Sequence, residues 1–277
     1  MSKFKNTKEE EKKNEKKNLN ENIIIGYIKI DEDNIKKRII NSYENVKKEK
    51  GWYKFGVIEN EEEIKACEIY INGQKIDFDY YYTFKNKGDY KILYKFNKLI
   101  KSTNFLFCSC SSLTSLDFSN FNTQILTNME YMFYGCTSLK SLDLSNFNTE
   151  RINSMDSLFS NCKSLISLDL SNFNTEKVNN MDSLFYNCKS IKSLDLSNFN
   201  TKNVKNMRAM FYGCYLLLSL DLSNFNTQNV TNMWSIFYGC NSLISLDLSN
   251  FNIQNVNNKW FMFSYCNSLI NKYIKFK

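Results

Sequence analysis

The sequence predicts an α/β repeat fold, a solenoid with parallel strands on one side and short helices on the other, preceded by an N-terminal β-rich cap domain. Three observations predict it. The phrase SLDLSNFNT fills residues 141–149 and returns at 167, 193 and 219, with variants beginning at 115 and 245. Asp117, Asp143, Asp169, Asp195, Asp221 and Asp247 stand 26 residues apart, and so do Cys110, Cys136, Cys162, Cys188, Cys214, Cys240 and Cys266. Within each unit, an alternating apolar pattern gives way to one of helical spacing. A fixed period of this length marks stacked supersecondary units, none of which buries its apolar face alone.

Residues 1–21, MSKFKNTKEEEKKNEKKNLNE, read as a disordered charged tail, because so polar a block cannot bury enough to offset its ordering entropy. It holds none of the apolar run of a secretory signal. The following IIIGYI is too short to cross a bilayer, so no membrane insertion is expected.

Residues 22–101 read as the β-rich cap domain. IIIGYIKI is a β-branched run, and CEIYINGQKIDF carries Asn72-Gly73 between two alternating stretches, a pair that supplies the positive φ of a tight hairpin. Gly88 does the same between two aromatic-rich stretches. NIKKRIINSYENVKKEKG between them predicts a helix ending at Gly51.

Residues 102–277 form the solenoid, about six 26-residue repeats. In the unit starting at Leu139, Leu142 and Leu144 face one side of a predicted strand while Ser141, Asp143 and Ser145 face the other. Phe147 turns inward. In RINSMDSLFSNC, Ile152, Met155, Leu158, Phe159 and Cys162 fall within about 120° of arc at helical pitch, which predicts an amphipathic helix. Asn161, with Gly135, Asn187, Gly213 and Gly239 in other units, would close it in the left-handed conformation. The final NKYIKFK places lysines on an open edge strand, and Lys259 replaces a methionine, both signs of a terminal unit.

The phrase SLDLSNFNT, followed at fixed offsets by Val, Asn-Met, Phe, Cys and Ser-Leu, resembles the BspA-like leucine-rich-repeat surface-protein family over residues 103–270. The resemblance implies a leucine-rich-repeat-type solenoid, exposure on the cell surface, and a role in adhesion to host or matrix proteins or as a variable antigen. It brings no catalytic residues. The absence of a signal or a membrane span instead predicts a cytoplasmic chain.

Charge and composition exclude some functions. The formal charge is +7, but residues 1–101 hold 23 Lys+Arg against 18 Asp+Glu, which leaves the repeats nearly neutral and without the field that recruits nucleic acid. No histidine is present, which removes most hydrolase triads and the commonest zinc ligand. No enzyme, cofactor or metal centre is expected, and Cys108-Ser109-Cys110 is too slight a motif for a metal.

Three ladders are the candidate sites. The acidic ladder Asp117, Asp143, Asp169, Asp195, Asp221 and Asp247 sets like charges side by side, a repulsion of about 0.5–1 kcal/mol per pair even in water. Either the flanking serines satisfy it, or it binds a cation weakly or a basic partner. The cysteines read as small buried hydrophobes with free thiols. Tyr134, Tyr186, Tyr212 and Tyr238 share one position beside the buried stripe, while Trp234 and Trp260 stand where three earlier units have Asp or Glu, and Phe261 follows. These rings either bind a protein partner or stack on each other and cap the array. The predicted function is a non-enzymatic protein-binding repeat scaffold; the alternative is an intracellular structural or assembly protein docking through its repeat ends.

Overall fold

The computed structural model describes residues 22–52, 60–269 and 274–276. The predicted tail, 1–21, lies outside the described residues, as does part of the predicted C-terminal strand.

β1 (Asn22–Ile30) alternates buried Ile24, Ile28 and Ile30 with outward Tyr27 and Lys29, and pairs antiparallel with β6 (Gly88–Phe96). Between them β2 (Ile35–Arg38) pairs with β5 (Tyr81–Phe84), and β3 (Glu68–Ile71) forms a hairpin with β4 (Gln74–Ile76). That hairpin turns on Asn72 and Gly73, at φ 49° and 83°, the two positive-φ residues that its tight turn demands. Helix α1 (Tyr43–Lys50) starts at Ser42, whose hydroxyl accepts the Asn45 N–H at 3.1 Å, and stops at Gly51 in the left-handed conformation. A short helix α2 (Glu61–Lys65) follows.

The main sheet runs β4-β3-β6-β1-β7-β8, where β7 (Leu113–Asp117) and β8 (Ser141–Leu142) already belong to the repeats. β1 pairs antiparallel with β7, and β7 parallel with β8, so one mixed sheet joins the N-terminal unit to the repeats. Gly26 permits that junction: a Cβ there would stand 3.0 Å from Leu113 Cδ2 and 3.2 Å from Tyr94 Cε2.

The α/β solenoid prediction is wrong for this chain. No helix occurs among the described residues of the repeats, and 151–162 is a series of turns. The expected strand side is also largely missing: among the described residues of the repeats, apart from β7 and β8, only β9 (Leu246–Leu248) and its parallel partner β10 (Ile274–Phe276) are strands.

The hydrogen bonds explain the difference. Leu158 N–H bonds Met155 O at 3.3 Å and Cys162 N–H bonds Phe159 O at 3.1 Å, which closes two four-residue turns. Their third residues, Ser157 and Asn161, have φ of 55° and 61°, the positive values of a type II turn that a right-handed helix excludes. The intervening N–H groups leave the layer: Ser157 donates to Asp182 O, Phe159 to Leu184 O and Asn161 to Tyr186 O, at 2.9, 3.1 and 2.6 Å. Turns closed three residues apart return side chains inward at intervals of three and four. They therefore imitate the apolar spacing of a helix.

Ile152, Met155, Leu158, Phe159 and Cys162 are all buried. Phe107, Phe133, Phe159, Phe185, Phe211, Phe237 and Phe263 stack ring on ring through the interior, with centroids 5.6–6.3 Å apart. Side chains tie the layers where strands were expected. Asn172 Nδ2 lies 2.9, 2.9 and 3.1 Å from the carbonyls of Leu144, Ser145 and Phe147, and Asn198 and Asn224 repeat this contact one and two layers on.

Candidate functional site

Every carboxylate of the acidic ladder has a backbone partner. Asp117, Asp143, Asp169, Asp195, Asp221 and Asp247 each accept the N–H of the serine two residues on, at 2.8–2.9 Å. A short carboxylate that holds the chain two residues ahead closes a local turn. The carboxyls of Asp143, Asp169 and Asp221 are held below the usual range chiefly by that N–H, and Asp195 chiefly by the Ser197 hydroxyl. Among the described residues no group of three or more acidic or cysteine side chains is placed to hold a metal ion.

The cysteines are free, and all but the half-buried Cys266 are fully buried. Cys136, Cys162, Cys188, Cys214 and Cys240 donate through Sγ to the carbonyl of the phenylalanine 29 residues earlier, at 3.1–3.2 Å. Burial pushes these thiols well above the ordinary cysteine value, so each stays protonated and keeps its hydrogen. The ladder binds one layer to the next.

The aromatic candidates divide into two sets. Tyr186, Tyr212 and Tyr238 form a rail with rings 4.6 and 4.5 Å apart, and Tyr265 extends it at 5.0 Å. Tyr134 stands apart from this rail. Its ring meets Trp52, from the loop after α1, edge-on at 5.2 Å. Beside the rail, Trp234 meets Phe261 at 6.4 Å and carries the Arg208 guanidinium 5.0 Å over its ring. Arg208 also pairs with Asp182 at 3.4 Å, although burial holds that carboxyl above its usual range. Trp260, Phe261 and Tyr265 are 71%, 57% and 66% exposed, the most open large side chains of the last layer.

Some participants escape sequence reasoning. Trp52 is distant along the chain from the tyrosine it covers, and nothing in its neighbourhood marks it. Arg208 occupies the same place in its unit as Trp234, so its position was legible but its role needed the geometry. Ile166, Leu218 and Ile244 are also exposed, on the edge where other units carry lysine.

A model of the family described as Mycoplasma protein of unknown function, DUF285, matches residues 101–215 and again 188–277. No curated protein and no solved structure matches the chain. No described helix is long and apolar enough to cross a membrane.

Proposed function

The chain belongs to the family of Mycoplasma proteins of unknown function, DUF285, and on that premise we propose that it is a non-enzymatic repeat scaffold that binds a protein partner through its aromatic rail. The observation that carries the reading is the run of rings Tyr186, Tyr212, Tyr238 and Tyr265, together with the Trp234–Phe261 pair and the exposed Trp260. Tyrosine, tryptophan and arginine are the residues in which binding energy concentrates, and Arg208 lies among them. The buried protonated thiols and the turn-closing aspartates already have structural work, which supports a chain without catalytic chemistry. The resemblance to BspA-like surface proteins adds adhesion or antigenic display as the setting of that binding.

The test replaces Trp234 and Trp260 together by alanine. Affinity for a partner captured by the wild-type chain should fall about tenfold or more, with an unchanged circular dichroism spectrum and melting temperature. Equal capture, or collapse of the fold, removes the surface from the proposal. Labelling of intact cells with a membrane-impermeant reagent tests the setting, and protection of the chain would rule out adhesion.

A second reading, assembly through the repeat ends, draws on the exposure of Trp260, Phe261 and Tyr265 in the last described layer. It requires a mass that grows with concentration in light scattering, where the first reading requires a constant one.

A further inference from the structure

One ring is missing from the aromatic ladder. Gly135 N–H donates to Ser160 O, Asn161 N–H to Tyr186 O and Asn187 N–H to Tyr212 O, at 2.8, 2.6 and 2.6 Å, which sets residues 134, 160, 186 and 212 at one position of successive layers. Three of these are tyrosines, and residue 160 is serine. The neighbouring rings repeat at 4.5–4.6 Å, and two layers at that spacing would set positions 134 and 186 about 9 Å apart, enough for one ring between them. The gap opens into a shallow notch of about 330 Å³ that reaches past it, from Trp52 and Tyr134 over Ser160 and Asn161 to Tyr186, Ser183 and Arg208.

We infer that this notch is a slot for a tyrosine or tryptophan side chain of a polypeptide partner. The inference rests on the protein-binding reading above and gives that reading a specificity. Both walls are held before any ligand arrives: Tyr134 by Trp52 at 5.2 Å and Tyr131 at 5.8 Å, and Tyr186 by Tyr212 at 4.6 Å. Pre-organised walls spare the ordering cost of binding. The floor is polar, with Ser160 only 2% exposed beneath the gap and the Asn161 amide next to it. A ring entering from solvent turns its far edge toward that floor, where Asn161 Nδ2 bonds Ser160 Oγ at 3.3 Å and Asn161 Oδ1 accepts from Asn187 Nδ2 at 3.2 Å, so that a phenol O–H or an indole N–H would use a second lone pair of either oxygen. Leucine offers neither a π-face for the walls nor a polar edge for the floor.

The experiment adds full-length chain to capped Gly-Tyr-Gly carrying a fluorinated ring and follows the ¹⁹F and ring proton resonances. A ring held between two tyrosines shifts upfield, and capped Gly-Leu-Gly should show no shift. Ser160→Tyr fills the slot with the side chain that other layers accept at this position, and the shift should vanish. Tyr186→Ser removes one wall and should weaken binding about tenfold or more, while Ser160→Ala leaves the slot open and should bind within about threefold of wild type. Absence of an upfield shift with the wild-type chain, or an equal shift with a folded Ser160→Tyr variant, overturns the inference. Should that variant fail to fold, full binding by Tyr186→Ser overturns it equally. The double tryptophan variant reads the wider surface independently, so the slot can fail while the scaffold reading stands.

Discussion

Thr175→Val tests whether side chains replace a backbone ladder between layers. Thr175 is 1% exposed, and its Oγ1 both accepts the Asn200 N–H at 2.8 Å and donates to the Asn200 carbonyl at 3.1 Å. One hydroxyl thus satisfies both backbone groups of a residue in the next layer, as a paired strand residue would. Thr149, Thr201 and Thr227 make the same two bonds. Valine keeps the shape and deletes both bonds, each of which has a net worth of about 0.5–1.5 kcal/mol. The expected loss is therefore about 1–3 kcal/mol, or about 2–10 °C in melting temperature for a chain of this size. Thr231→Val serves as the control, because that exposed hydroxyl makes a single bond, to Lys205 O at 3.2 Å; its cost should stay within about 0.5 kcal/mol. Urea denaturation followed by far-UV circular dichroism measures both. Equal costs for the two variants, or a Thr175→Val chain as stable as wild type, would refute the idea that these threonines bridge the layers.

Two further outcomes follow from the other ladders. The folded-state carboxyl values of Asp143, Asp169, Asp195 and Asp221 are depressed, so their contribution to stability is complete above the unfolded value, about 3.9, and is lost as pH falls through the folded values. Melting temperature should hold from neutrality to about pH 5 and fall below it. Replacing the four by asparagine, which keeps an acceptor oxygen, should flatten that acid limb, and an unchanged limb would sink the assignment. In thiol labelling of the native chain, the half-buried Cys266 should react first and the buried cysteines only at the rate of unfolding; rapid reaction of Cys162 or Cys188 would contradict their place in the interior.

The repeat period, the inward residues and the N-terminal strands were legible in the sequence because they depend on which side chains are apolar and how far apart they recur. The path of the backbone was not. Met155, Leu158, Phe159 and Cys162 fit a helical stripe and two consecutive turns equally well, and what separates the two is the sign of φ at Ser157 and Asn161. Asparagine at 161 signals a positive φ but fits the end of a helix equally well; serine at 157 signals nothing. The asparagines of the SNFNT phrase recur as faithfully as the aspartates. Their role is not legible locally, because their partners are backbone carbonyls in another layer. The Ser160 gap was visible as a missing tyrosine, but only the stacking distance on either side turns an omission into a slot.

The ladder has a direction, and this explains what the N-terminal unit does for the repeats. Along the face that carries the paired turns, each layer donates N–H groups to the carbonyls of the layer after it, as Phe105 does to Glu130 O and Phe107 to Met132 O at 3.0 and 2.9 Å, while bonds elsewhere, such as Thr127 N–H to Lys101 O and Asn179 N–H to Asn153 O, run back to the layer before. The first layer has no layer before it, so the carbonyls of Ser102, Asn104, Leu106 and Cys108 need donors from elsewhere. A buried carbonyl left unpaired costs about 1–3 kcal/mol. Two asparagines meet all four: Asn41 N–H bonds Leu106 O and its Nδ2 bonds Cys108 O, both at 2.8 Å, while Asn60 Nδ2 reaches Ser102 O and Asn104 O at 3.3 and 2.8 Å. Asn41 and Asn60 are each 1% exposed. The flank of α1 and the start of α2 thus stand in for a missing repeat, donor for donor. Joined besides through the β1–β7 pairing and one continuous apolar core, the N-terminal unit covers the open end of the first repeat, and the remaining layers stack from there toward Trp260 and Phe261.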